Sequence, residues 1–187
     1  MKPNRMTGPL LAVALICAPA IPALGRPVST HTVEMDWSTN QSGVFTSGFV
    51  TVTHDDLGQT DVAVLILESS VVECGGASLG TMSRTVSHSG PADVSIVIDR
   101  HMDEVALNGQ IDVTESTSVS CPGTATVDTV QVSTTDVGLL AVAVDRPFRS
   151  RDQQTGTRYI VRPADVTVSL DTATYADSGL VTEEISR

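Results

Sequence analysis

The chain has 187 residues, three cysteines and a formal net charge of −11. This length fits one domain, or at most two small ones, and is enough to bury a substantial hydrophobic core. The excess of 22 acidic over 11 basic side chains argues against a general nucleic-acid binder, which needs a basic face, and favours solubility outside the cell.

The first 25 residues have the pattern of an export signal. Lys2 and Arg5 give a basic start, and an apolar run of eight residues follows from Leu10 to Cys17. Such a run is too short to cross a bilayer, which takes about 20 residues. Ile16 is large and β-branched where a lipoprotein signal needs a small residue before its cysteine. The segment 1–25 is therefore predicted to be a cleaved signal peptide and not an anchor.

The mature chain is predicted to be 26–187, a single secreted β-domain. Ala23-Leu24-Gly25 supplies the small residues of a cleavage site, and cleavage after Ala20 is an alternative. No second apolar stretch of spanning length follows, so no membrane association is expected after cleavage.

The body of the chain alternates Val, Ile and Leu with Thr, Ser and Asp, which is typical of strands with one buried face. Two segments, 62–67 and 139–144, are apolar at successive positions and are predicted to be buried on both faces. No segment shows sustained helical spacing with caps at both ends. We therefore predict an all-β fold, an antiparallel β-sandwich or open barrel of about nine to ten strands.

Two local features refine this prediction. Asn108-Gly109 would suit a two-residue hairpin turn, but that turn would place Leu107 opposite Gln110 on a shared face. A continuous strand keeps the apolar residues on one side, so we predict a strand through this point with Gly109 at a bulge or close crossing. The apolar parity changes near Asp128-Thr129, which predicts a second bulge.

The two cysteines of the mature chain, Cys74 and Cys121, are predicted to form a disulfide. Cys17 leaves with the signal, and an even count remains in an oxidising compartment. Neither cysteine has a CxxC neighbour or a nearby His, so a structural bond is favoured over a catalytic or metal-binding thiol.

Catalytic and metal-binding patterns are weak. Gly76 to Gly80 fits G-x-S-x-G, but the residues after it predict a strand where a nucleophile elbow needs a helix. Asp99, His101 and Asp103 could supply ligands to a calcium ion. The spacing departs from known calcium loops, and an acidic loop is the alternative. No metal or cofactor is therefore predicted, and these three residues are the only metal candidates.

One basic segment stands out in the acidic chain. Arg146, Arg149 and Arg151 lie close together, and Arg158 and Arg162 follow. The first three are candidates for binding phosphate, sulfate or an acidic wall polymer. The alternative is a hairpin tip whose arginines offset the surrounding acidic charge.

Four short segments between about residues 104 and 170 carry a resemblance: Val105-Ala106-Leu107-Asn108-Gly109, Thr126-Val127-Asp128, Gly138-Leu139 and Arg162-Pro163-Ala164-Asp165-Val166. With these segments the region resembles a group of exported proteins from high-GC Gram-positive bacteria. The chain lacks the Trp that this group often carries in the segment occupied by Val132-Ser133-Thr134-Thr135. The resemblance implies an exported all-β protein and no particular activity.

The sequence favours a secreted, non-catalytic binding or surface-interaction protein, because it has no recognisable set of nucleophile, base and orienting group. Its partner would be an extracellular macromolecule or wall polymer. One alternative is a small extracellular hydrolase or calcium-dependent enzyme that uses Asp99, His101 and Asp103. Another is an inhibitor of secreted proteases that presents a loop near Cys74 or Cys121.

Overall fold

The computed structural model describes residues 27–76 and 78–186, and the predicted signal segment, 1–25, lies outside these ranges. The described residues form ten strands. No helix capable of spanning a membrane occurs among them. The strands are β1 (Val28–Gln41), β2 (Val44–Asp55), β3 (Thr60–Glu73), β4 (Leu79–Pro91), β5 (Asp93–Ile98), β6 (Glu104–Ser120), β7 (Val127–Ala143), β8 (Phe148–Arg151), β9 (Arg158–Leu170) and β10 (Ala173–Ser186).

All ten strands belong to a single antiparallel sheet, which confirms the predicted fold class. Neighbouring strands follow the order β10-β1-β2-β3-β4-β6-β7-β9, and β9 also pairs with β10. Eight strands therefore form a closed circuit of pairings. The circuit is irregular, because β4 leaves β6 after Ser87 and β5 takes its place along β6 from Asp93. β8 adds a short strand on β9.

The closed part of the circuit contains the hydrophobic core. Alternate residues of each strand point inward, as the period of two in the sequence predicts. Valine dominates because β-branched side chains pack well on a pleated surface. Leu107 is the largest of the side chains with almost no exposure, and Trp37 lies at the border of the core.

The circuit is closed over only part of the strand length. β1 pairs with β10 through residues 28–35, and β7 pairs with β9 through residues 137–143. Beyond these points, residues 36–41 of β1 and 127–135 of β7 each pair with one neighbouring strand within the described chain. The ring therefore opens into a six-stranded trough formed by β1, β2, β3, β4, β6 and β7.

The trough exists because two hairpins are longer than the closed part of the fold. β6 and β7 have 17 residues each, which corresponds to roughly 55 Å of extended chain. The disulfide between Cys74 and Cys121 joins the tips of the β3–β4 and β6–β7 hairpins, with a Cα–Cα distance of 5.6 Å. The predicted pairing of these cysteines is confirmed.

Gly80 explains how the disulfide crosses β4. This glycine lies on β4, which pairs with β3 on one side and with β6 on the other. A Cβ at this position would overlap Cys74 Sγ and the carbonyl oxygen of Ser120. The absence of a side chain at Gly80 is therefore what lets the sulfur atoms pass over the strand.

Three local predictions can be compared with the registers. The continuous strand through Asn108-Gly109 is confirmed, and a Cβ at Gly109 would lie 2.7 Å from Val94 Cα on β5, which confirms a close crossing. The bulge predicted at Asp128-Thr129 is wrong, because β6 and β7 keep one unbroken register from Glu104 to Val119. The apolar residues change from one face of the strand to the other here because neither face of this part of β7 packs against the core.

The prediction that 139–144 is buried on both faces is also wrong. Leu139 and Ala141 point into the core, whereas Leu140, Val142 and Val144 are exposed. The segment 62–67 differs in the same way, because Leu67 is exposed and the alternate residues Val62 and Val64 are buried. A single sheet that closes on itself has one interior and one exterior face, so no strand is covered twice.

Candidate functional site

The turn between β5 and β6 covers the closed end of the barrel. Met102 takes a positive φ of 55° and is buried as part of the core. Its backbone N–H donates to the carbonyl of Asp99 at 2.8 Å, and the Asp99 N–H donates to the carbonyl of Glu104 at 2.9 Å. These bonds hold a compact turn. The turn places Arg100 and His101 at the rim of the barrel.

A cleft of about 350 Å³ lies at this end of the barrel. Its basic side chains come from four different elements: β1, the β5–β6 turn, β8 and β9. Asp99 and Glu183 are the acidic residues of its lining. We call this feature the basic cleft, and its basic side chains are His31, Arg100, His101, Arg149 and Arg162.

Arg162 is the most buried arginine of the basic cleft. Its side chain is 15% exposed and forms an ion pair with Asp103 through Nη1. Nε is buried and has no hydrogen-bond partner in the described chain. A guanidinium carries five N–H donors in a fixed plane, and an unsatisfied buried donor is costly. Nε is shielded from solvent, so only the 15% of the Arg162 side chain that remains exposed is open to a ligand in the cleft.

Arg149 and Arg162 share one face of the β8–β9 pair. Arg149 lies opposite Ile160 in the register, and Arg162 is two residues further along β9. Alternate residues of a strand point to the same side. The two guanidinium groups therefore approach the cleft from adjacent strands, and both belong to rigid elements of the sheet.

His31 lies on the inner face of β1, opposite Glu183 on β10 and His54 on β2. His31 Nε2 is 3.8 Å from Glu183 Oε1, and His54 Nδ1 is hydrogen-bonded to the Thr60 hydroxyl at 2.8 Å. Burial lowers the pKa of His31; Glu183 acts in the opposite direction, and His54 lowers the pKa further. The neutral form of His31 is therefore the one that the fold favours.

This pKa shift predicts a loss of stability on acidification. The unfolded chain binds a proton at His31 at a higher pH than the folded chain does. The stability that neutral His31 contributes is therefore complete above about pH 6.5 and is lost as the pH falls below that value. We expect the melting temperature to fall between pH 7.5 and 5.5, and to fall less in His31→Gln. An identical pH dependence in both proteins would contradict this assignment.

The structure brings together only some of the residues singled out by sequence. Asp99, His101 and Arg149 all line the basic cleft. Arg151 lines a different cleft of about 340 Å³ with Arg158. Arg146 is exposed in the loop after β7, where its backbone N–H donates to Asp145 Oδ1.

The metal candidates Asp99, His101 and Asp103 do not form a ligand set. No group of three His, Cys, Asp or Glu side chains in the described residues is placed to hold a metal ion. Asp103 instead pairs with Arg162. The G-x-S-x-G segment lies in the β3–β4 turn, where the Ser78 hydroxyl donates to the Gly75 carbonyl at 2.8 Å. The last two residues of the segment, Leu79 and Gly80, already belong to strand β4, so the strand–elbow–helix arrangement of a serine hydrolase is not formed here.

Three residues of the basic cleft were not chosen from the sequence. Arg162 belongs to the basic segment but is not one of its three candidate ligands, and no sequence pattern marks Arg100 or His31 as a binding residue. The parity of β1 carries a signal for His31, because it alternates with the inward residues Val33 and Met35. The convergence of β1 with β8 and β9 depends on the closure of the sheet and is not visible in the local sequence.

A second polar cluster lies on the concave face of the trough, within a cleft of about 530 Å³. Arg84 donates from Nε to Glu115 Oε1 at 2.8 Å and from Nη1 to Glu68 Oε2 at 2.9 Å. The hydrogen bonds to Glu115 and Glu68 raise the pKa of Arg84, and Arg84 lowers that of Glu115. One arginine is paired with two glutamates, so the cluster stabilises the trough and has no spare positive charge with which to bind an anion.

An aromatic pair lies at the other side of this opening. The rings of Trp37 and Tyr175 are stacked with their centroids 4.9 Å apart. The Trp37 ring covers Gly48, where a Cβ would lie 2.5 Å from the indole. Burial raises the pKa of Tyr175, and the nearby Glu68 raises it further. The pair closes the gap between β1 and β10 at the point where their hydrogen bonding ends.

Comparisons of this chain with protein-family models, curated proteins and solved structures found no match. The geometry of the described residues is therefore the basis for a functional assignment.

Proposed function

We propose that this protein is a secreted binding protein that holds the anionic groups of an extracellular polymer in the basic cleft. The observation that carries the proposal is the convergence of Arg100, Arg149 and Arg162 on one cleft in a chain of net charge −11. The sequence also supports export, because the signal pattern and the disulfide both point to an oxidising compartment.

The chemistry of the cleft favours a phosphate group. Arginine presents a planar fork that matches the oxygens of phosphate or carboxylate in bidentate geometry. The lining contains three arginines and two acidic residues, Asp99 and Glu183. Asp103 pairs with Arg162. The arginines that remain for an anion are therefore Arg100 and Arg149. An anionic polymer with repeated phosphate groups would suit a cleft that is open to solvent at the end of the barrel.

The acidic remainder of the chain also contributes to selectivity. Like charges repel, so a polyanion is repelled by most of the surface and attracted to the arginine-lined clefts, of which the basic cleft has the more arginines. Such binding should weaken as salt is added, because the exposed part of the interaction is screened beyond a Debye length of about 10 Å at 0.1 M.

Two double variants with the same change in charge test this proposal. Arg100→Ala with Arg149→Ala removes two arginines from the cleft and keeps the Arg162–Asp103 pair. Arg146→Ala with Arg151→Ala removes two arginines that lie outside it. With polyphosphate as the probe, we expect calorimetry to show at least a tenfold loss of affinity for the first variant and little change for the second.

Two results would contradict the proposal. Equal losses in both double variants would show that only the net charge matters. No polyphosphate binding by the unmodified protein at low salt would show that the cleft does not select a phosphate polymer.

A further inference from the structure

The longest unpaired sheet edge in the described chain is residues 127–135 of β7. These nine residues pair with β6 on one side. The pairing of β7 with β9 begins only at Val137, and the Asp136 carbonyl accepts a hydrogen bond from the Asp171 N–H. We call residues 127–135 the β7 edge. Its second side presents backbone N–H and C=O groups with no partner strand in the described chain.

The β7 edge lacks the features that normally protect a free strand. It contains one charged residue, Asp128, and no Lys, Arg or Pro, which are the residues that most often block pairing with another chain. Three valines on it, Val127, Val130 and Val132, are between 62% and 70% exposed. By contrast, the free strand β8 has four residues, and two of them are arginines. The β7 edge is therefore a template for an added strand.

The side chains of the β7 edge are self-complementary about Gln131. In an antiparallel pair with the same segment of a second copy, Gln131 would face Gln131, and Val130 would face Val132 in both directions. Asp128 would face Thr134, so no like charges would meet. Two-fold symmetry makes each contact occur twice, which is the pattern of an isologous dimer.

Neighbouring registers are less favourable. The exterior residues of one copy must face the exterior residues of the other. The register can therefore change only in steps that keep even-numbered residues of β7 opposite even-numbered residues. One such step would place Asp128 opposite Asp136, and the opposite step would place Asp128 against Val132. Only the register centred on Gln131 forms two Val130–Val132 pairs, each worth a few tenths of a kcal/mol or more in such sheets.

We propose that the protein forms a two-fold dimer in which the β7 edges of two copies pair antiparallel about Gln131. The dimer continues the trough sheet from one copy into the other. It is independent of the basic cleft, because the β7 edge belongs to the trough and the cleft lies at the closed end of the barrel.

The mass of the protein in solution tests whether the β7 edge is the dimer interface. Sedimentation equilibrium over a wide concentration range should show a doubling of mass for the unmodified chain. Val130→Lys with Val132→Lys should return it to the mass of one copy, because four ammonium groups would meet on the exterior face. Leu140→Lys with Val142→Lys is the matched control, since these exposed residues lie on the same face of β7 where both neighbours are already present.

A cysteine cross-link tests the register. Gln131→Cys places two thiols on opposite residues, whose Cα atoms are about 4.5–5.5 Å apart in an antiparallel pair, within reach of a disulfide. Thr129→Cys is the control, because the two copies of residue 129 would lie about 13 Å apart. We expect a reducible covalent dimer with the first variant alone, with the Cys74–Cys121 bond intact by peptide mapping.

Three outcomes would overturn the proposal. The unmodified chain could keep the mass of one copy at every concentration. The Val130→Lys and Val132→Lys variant could remain dimeric. The two cysteine variants could also cross-link equally, which would exclude the register centred on Gln131.

Discussion

Replacing Cys74 and Cys121 together by serine should lower the free energy of unfolding by about 4 kcal/mol. The bond closes a loop with a sequence separation of 47 residues, and without it the unfolded chain gains the conformational freedom of that loop. The effect is large because the trough lies outside the closed circuit, and the bond joins its two longest hairpins. Equilibrium denaturation of the oxidised protein and the double variant measures the difference.

The reduced wild-type protein is the control for this prediction, because it loses the bond without any change of sequence. It should unfold at the same denaturant concentration as the double variant. A difference from the oxidised protein of less than about 1 kcal/mol in both would contradict the prediction and show that residual structure in the unfolded chain already restricts this loop.

Leu107→Ala should destabilise the protein by about 2–5 kcal/mol, because it leaves a cavity in the closed part of the sheet. Leu107 has no exposed surface and is surrounded by inward residues of β5, β6 and β7. Leu140→Ala is a control of the same chemistry, since Leu140 lies on the exterior face of β7 and is 42% exposed. We expect that variant to lose less than about 1 kcal/mol.

Denaturant unfolding of both leucine variants tests whether β6 is oriented as described. Similar losses for the two would mean that the exterior of β7 is covered, as in a two-layer sandwich. A small loss for Leu107→Ala alone would contradict its place in the core.

Alternation of apolar and polar residues was sufficient to predict the strands, their antiparallel arrangement and the continuous strand through Gly109. This succeeded because the parity of a strand is a local property and one face of the sheet is buried. It failed for 139–144, because the successive apolar residues of this segment predict burial on both faces and only one face is buried. Exposed valine and leucine are common in strands, since intrinsic β-preference favours them even outside the core.

The candidate site was predicted less completely. Arg149 and His101 were selected from separate segments with separate roles, as an anion ligand and as a metal ligand. The structure places them in one cleft. Arg146 and Arg151 were grouped with Arg149 because they are near it in sequence. The proposals of a calcium-dependent hydrolase and of a protease inhibitor remain sequence-based predictions.

The amino-acid order was enough to establish the class of fold, the cysteine pairing and the inward face of most strands, because these depend on neighbours in the chain or on a count of two thiols. The folded arrangement alone determined where the ring closes, where the trough opens and which charges meet. Closure brings β10 against β1, strands from opposite ends of the chain. The energy of such pairings comes from residues far apart in sequence, so no local pattern specifies them.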